Sequence, residues 1–77
     1  MVEIYLLMLR LGDDSNQVGT IQTLLNAYGF KDDDGEILEV DNDFGSRTDY
    51  AVRAFQRANG LSADGIVGLN TWSALLK

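Results

Sequence analysis

The sequence predicts an all-α fold: a small three-helix bundle with turn-rich loops and an internal repeat. Three observations lead there. Apolar residues recur at three- and four-residue steps in separate stretches, as they do along one face of a helix. Those stretches are bounded by residues that start or stop helices. A loop-to-helix unit of one residue pattern also occurs twice. With 77 residues there is room for one domain, burying about 60% of the surface its open chain would expose. No proline-rich, low-complexity or linker-like stretch marks a second domain.

The elements follow in order. Val2 to Leu11 has no clean period and reads as either a buried strand or a short helix. Residues 1–8 are taken as an apolar N-terminal extension and 9–77 as the domain. Gly12 to Asn16 reads as a turn. The first helix is predicted over about residues 16–28, where Val18, Ile21, Leu24, Leu25 and Tyr28 form one stripe. Ser15 or Asn16 would cap its start, and Gly29 would end it as a left-handed residue. A loop over 31–43 carries seven acids, with Ile37, Leu38 and Val40 expected to tuck inward. The second helix is predicted over about 46–59, buried through Ala51, Ala54, Phe55 and Ala58 with Val52 alongside, and closed by Gly60 and Leu61. A short third helix spans about 69–76, with Trp72, Leu75 and Leu76 facing in.

The repeated unit runs from Asp41 to Val52 and again from Asp64 to Leu75, an offset of 23 residues. A second echo relates Val18, Ile21 and Gln22 to Val52, Phe55 and Gln56, an offset of 34. The unit has a readable physics. Asp opens a turn by accepting hydrogen bonds from nearby backbone N–H groups. The following Asn42 or Gly65 tolerates positive φ. Phe44 or Val67 drops into the core, and Gly45 or Gly68 sits at a helix N-cap. Thr48 or Thr71 is placed to bond back toward the turn. The device starts a helix at a set angle, and it is used twice.

Composition excludes much chemistry. Without cysteine or histidine there is no disulfide, no Cys nucleophile, no imidazole base and no His-ligated zinc. The net charge of −6 argues against nucleic acid and against an anionic membrane. The apolar run from Ile4 to Leu9 is too short to span a bilayer, and Glu3 stands where a signal peptide needs a basic residue. The acidic loop mismatches the helix–loop–helix calcium pattern, since counting from Asp32 places Gly35 at position 4 rather than 6. No metal or cofactor is expected, and a bundle this small is expected to offer little cleft for an enzyme.

Several side chains have two readings. Trp72 suits either stacking on a ligand or plugging the core, and its helical spacing favours the core. Tyr28 and Tyr50 suit either a surface site or the core edge. Gln22 and Gln56 suit a loop backbone better than a ligand, because partly buried amides must be satisfied. Asp41 and Asp64 read as turn formers. Arg47, Arg53 and Arg57 can clamp a carboxylate or pair with the abundant acids, and the second reading is favoured.

Six blocks in order resemble the type 1 peptidoglycan-binding domain. They are Leu9 to Asp13, then Val18 with Ile21-Gln22 and Leu25, Asp41 to Thr48, Ala51 to Gln56, Gly60-Leu61, and Asp64 to Trp72 with the closing Leu75. The chain departs from that pattern in Asn42 for a usual Gly, in Ile21 for Leu, and in a longer acidic loop. The resemblance implies a three-helix module that binds bacterial cell-wall peptidoglycan without cutting it, through glycan strand or stem peptide. It also implies a covalently linked catalytic domain in the parent protein. The module would be secreted or cell-wall associated, with its export signal outside this stretch of chain. The surface around the two repeated turns is the expected site, comprising Asp41, Phe44, Arg47, Tyr50, Asp64, Gly65 and Trp72. The alternative is a protein–protein interaction module of the same fold, acting through residues 2–11.

Overall fold

The computed structural model describes residues 8–77. Three helices follow one another: α1 (Asn16–Ala27), α2 (Ser46–Ala58) and α3 (Leu69–Leu75). Among the described residues there are no strands. Two isolated antiparallel bridges, Leu9 with Val67 and Asp14 with Asp43, are the nearest approach to a sheet.

Each helix begins and ends for a local reason. The Ser15 hydroxyl accepts from the Val18 N–H at 3.4 Å and caps α1, while Gly45 and Gly68 are the extended N-cap residues of α2 and α3. At the end of α1, the Phe30 N–H donates to the Leu25 carbonyl and the Gly29 N–H to Asn26. At the end of α2, Leu61 donates to Gln56 and Gly60 to Arg57. Both are paired Schellman bonds that satisfy helix-end carbonyls, with a glycine at positive φ in the C′ place. The expected helix bounds hold to within one residue.

Helix α1 packs on both α2 and α3. The helices supply Val18, Ile21 and Leu25, then Ala51, Val52 and Phe55, then Trp72 and Leu75 to one core. Loops supply the rest: Leu9, Leu38, Phe44 and Val67, all less than 5% exposed. Burying a side chain of this size stabilises by about 1.5–3 kcal/mol, so the four loop residues are a substantial part of what holds the bundle together. Phe30 meets Phe55 edge-on at 5.3 Å between ring centroids.

One segment ties the two repeats together. From Leu9 to Ser15 the chain lies antiparallel to both corners. Leu9 and Val67 exchange N–H···O bonds of 3.2 and 2.8 Å; farther along, Gly12 donates to Phe44, Phe44 to Asp13 and Ser15 to Asn42. Of the N-terminal segment left open as strand or helix, the described part is therefore a strap bridged at Leu9 and turned over Arg10–Asp13, and not a helix. Residues 1–7 of the expected extension lie outside the described residues.

The inward-facing set differs from expectation at four places. Ile37 and Val40 are 70% and 52% exposed, and only Leu38 of that trio is buried. The Asn26 side chain explains it: its amide donates to the Leu38 carbonyl and accepts from the Leu38 N–H, at 2.9 and 2.8 Å. That two-point grip turns Leu38 inward and leaves its neighbours out. Leu76 is exposed because α3 stops at Leu75, and Ala58 is exposed on the last turn of α2.

Candidate functional site

The two repeated corners are built alike down to individual atoms. At the first, Asp41 accepts from the N–H of Asp43 through Oδ1 at 3.0 Å, closing an Asx turn. Asp64 does the same with Ile66 at 2.9 Å. Asn42 at φ 66° and Gly65 at φ 75° occupy equivalent left-handed positions. A Cβ at Gly65 would also strike the Asp49 carboxylate, so the second corner needs glycine where the first accepts asparagine.

A buried glutamine locks each corner. The Gln22 amide nitrogen faces Asp41 Oδ1, the Asp43 carbonyl and Thr48 Oγ1 at 3.0 to 3.1 Å. The Gln56 nitrogen faces Asp64 Oδ1, the Ile66 carbonyl and Thr71 Oγ1 over the same range. The amide oxygens accept from the backbone, Gln22 from Asp41 and Asn42 and Gln56 from Gly65. The threonines thus serve as acceptors for glutamine rather than as caps bonding back to the turn. No buried side-chain polar atom among the described residues lacks a partner. The glutamines fulfil the expectation that such amides bond to loops.

Both aspartates are held below the ordinary carboxylate range. For Asp41 the chief cause is the Gln22 amide, followed by the Asp43 N–H. For Asp64 it is the Ile66 N–H, aided by Gln56 and by the charge of Arg53 and opposed by partial desolvation. At neutral pH both are ionised acceptors.

Each corner opens onto a groove, so the surface is less flat than the chain length suggested. The first is about 320 Å³ and the second about 390 Å³. Seven lining positions correspond between them across the repeat. Four are chemically the same in both: the glutamine, the aspartate, the N-cap glycine and the threonine. The other three diverge, Asp43 against Ile66, Ser46 against Leu69 and Arg47 against Asn70. Glu36 and Glu39 add acid to the first rim, while Met8 and Leu61 add apolar surface to the second.

The expected site residues separate into three groups. Asp41 and Arg47 line the first groove and Asp64 the second. Tyr50 is 46% exposed on α2, and Gly65 shapes the backbone beside Asp64. Phe44 and Trp72 are buried in the core, so their rings support the corners from beneath. Arg47 lies 3.8 Å from Asp34 and 4.0 Å from Asp32, beyond hydrogen-bonding range, and stays largely exposed. Arg53 is committed to Asp49 and to the Ala63 carbonyl, both at 3.1 Å. Asp32 is buried, its Oδ1 accepting from Asp34 and Glu36 at 2.9 Å, so part of the acidic loop is a turn device. Sequence reasoning missed the apolar rim of Met8, Leu61, Ile66 and Leu69. Aligning the repeats offers the signal, since Leu69 falls where the first unit has Ser46.

Comparison with known proteins points one way. A family model described as "Putative peptidoglycan binding domain" matches residues 14–75. The N-acetylmuramoyl-L-alanine amidase CwlM of Mycobacterium tuberculosis is 43% identical over 72 residues, covering 87% of this chain and 18% of the amidase. A Burkholderia AP3 phage endolysin superposes with a TM-score of 0.79 at 45% identity, covering 90% of this chain and 24% of the endolysin. The SleB N-terminal domain superposes with a TM-score of 0.81 at 31% identity, covering 91% and 89%. The chain thus spans about a fifth of the amidase and about a quarter of the endolysin.

Proposed function

The chain belongs to the peptidoglycan binding domain family, and on that premise we propose that it holds bacterial cell-wall peptidoglycan without cutting it, on behalf of a catalytic domain joined to it. The observation that carries this reading is the family match over residues 14–75, which takes in all three helices and both corners. Similarity to segments of an amidase and an endolysin supports the joined enzyme and a place at the cell wall.

The first groove suits the polar groups of that polymer. Asp41 offers a fixed, ionised acceptor to amide N–H and hydroxyl groups. Arg47 is loosely paired and free to swing toward a stem-peptide carboxylate, which a guanidinium meets with two parallel bonds. Tyr50 adds an exposed ring on α2, Asp64 and Gly65 form the second corner, and Phe44 and Trp72 pack in the core beneath the corners. The absence of cutting is supported by the same chemistry. An aspartate held well below neutrality is a poor general acid, and the chain has no histidine or cysteine to act in its place. Weak single contacts suffice, because a tether keeps the enzyme at high effective concentration near an insoluble polymer.

The test is co-sedimentation with purified sacculi. The chain is expected in the pellet at low and moderate salt, with no soluble wall fragments released. Protein left in the supernatant overturns the binding; released fragments overturn the non-catalytic half. Arg47→Ala is expected to weaken pelleting several-fold while changing stability by less than about 0.5 kcal/mol, as befits an exposed, loosely paired charge.

A further inference from the structure

The duplicated scaffold presents two grooves of similar size but different rims. The first is rimmed by Glu36, Glu39, Asp43 and Arg47, with Ile37 and Leu38 as its apolar lining. In the second Asp64 is the one ionisable lining residue, and its Oδ1 already accepts from Gln56 and Ile66. Facing it are Met8, Leu61, Ile66 and Leu69, with Ser62 and Asn70 as hydrogen-bonding edges. Leu69 is 71% exposed and Met8 61%, so this apolar surface faces solvent. The Leu9–Ser15 strap fixes the two corners relative to each other through backbone hydrogen bonds at both.

We propose that the second groove is a separate subsite for the wall polymer, taking its uncharged, methyl-bearing junction of N-acetylmuramic acid and alanine, while the first groove takes its charged peptide ends. The inference rests on the reading of this chain as a wall-binding module. Charge complementarity selects the occupant. The N-acetylmuramyl–alanine junction carries no net charge once its carboxyl is in amide linkage. It presents acetyl, lactyl and alanyl methyl groups beside amide N–H and hydroxyl groups. A groove with an apolar wall, two neutral polar edges and a single fixed carboxylate acceptor matches that mixture. The acid-rimmed groove matches it less well, because beside Ile37 and Leu38 a methyl-bearing group would also strip water from several carboxylates without pairing them. A polymer that repeats its units also suits a scaffold that repeats its corner, since two subsites held at a fixed separation gain avidity.

The experiment titrates the full chain with N-acetylmuramyl-L-alanyl-D-isoglutamine and follows backbone amide NMR signals. The expected result is movement of the Ile66, Gly68, Leu69, Asn70 and Thr71 signals. Leu69→Asp is expected to reduce sacculus binding about tenfold or more with an unchanged melting temperature, and Leu69→Ala to reduce it less. Leu69 is exposed, so neither variant threatens the fold. Shifts confined to residues 41–48, or a folded Leu69→Asp chain that pellets like the parent, would overturn the proposal. So would sedimentation showing a dimer that Leu69→Asp dissolves, which would assign the groove to a second copy. Failure of the wall reading looks different: the unaltered chain would stay in the supernatant whichever signals the muramyl peptide moved.

Discussion

An amide side chain survives inside a core only when both its ends are satisfied, and Gln22 and Gln56 meet that condition by holding a loop each. Their worth follows from what truncation would strand. Gln56→Ala leaves the Gly65 N–H, the Ile66 carbonyl and the Thr71 hydroxyl without their partner. Urea denaturation is expected to show a loss of about 2–4 kcal/mol, since each stranded buried group costs about 1–3 kcal/mol and some regain water. The aspartates add a pH dependence. Folding lowers both below the ordinary aspartate value, so their contribution is complete above that value and is lost as pH falls through the folded one. The melting temperature is expected to be insensitive to these two groups between about pH 5 and 7 and to fall below about pH 4. The double variant Asp41→Asn, Asp64→Asn should lose part of that acid limb. An unaltered limb would mean that other carboxylates govern it.

At the scale of elements, helix ends were legible because capping is local. Ser15, Gly29 and Gly60 act within a few residues of themselves, and each stands where the periodicity stops. What sits across from a helix end was not legible. The Tyr28 hydroxyl donates to the Leu75 carbonyl at 2.9 Å, joining the end of α1 to the end of α3 across 47 positions of sequence. Its ring also lies 5.7 Å from that of Phe55. Tyr28→Phe keeps the ring and removes the bond. The expected cost is about 1 kcal/mol by urea denaturation, with faster amide exchange concentrated in α3. A uniform rise in exchange would place the role of Tyr28 in global packing instead.

For the molecule as a whole, the strap decides how the repeats stand to each other. Leu9 is a core residue at one end, and Asp13 and Ser15 reach the first corner at the other. Leu9→Ala is expected to cost about 2–4 kcal/mol, in the range for a buried leucine that leaves a cavity. It should also disturb amide signals near both Val67 and Phe44. A change confined to Val67 would show that the corners are set independently. The grooves belong to this scale too. Asp41, Arg47 and Asp64 were nominated from sequence by their turns and charge, yet the lining around them depends on which loops meet there.

Three helices, their bounds, the duplicated corner and the family resemblance were all present in residue order, because periodicity, caps and turn chemistry act over a few neighbouring positions. Tertiary structure decided the rest. It turned Leu38 in and left Ile37 and Val40 out through Asn26, twelve positions away. It committed Arg53 while leaving Arg47 loosely held, and lined one groove mostly with charge and its twin mostly with apolar side chains. The physical reason is common to all of these. Each depends on a partner brought close only when helix faces and loops from distant parts of the chain come together, and local preference carries no information about that meeting.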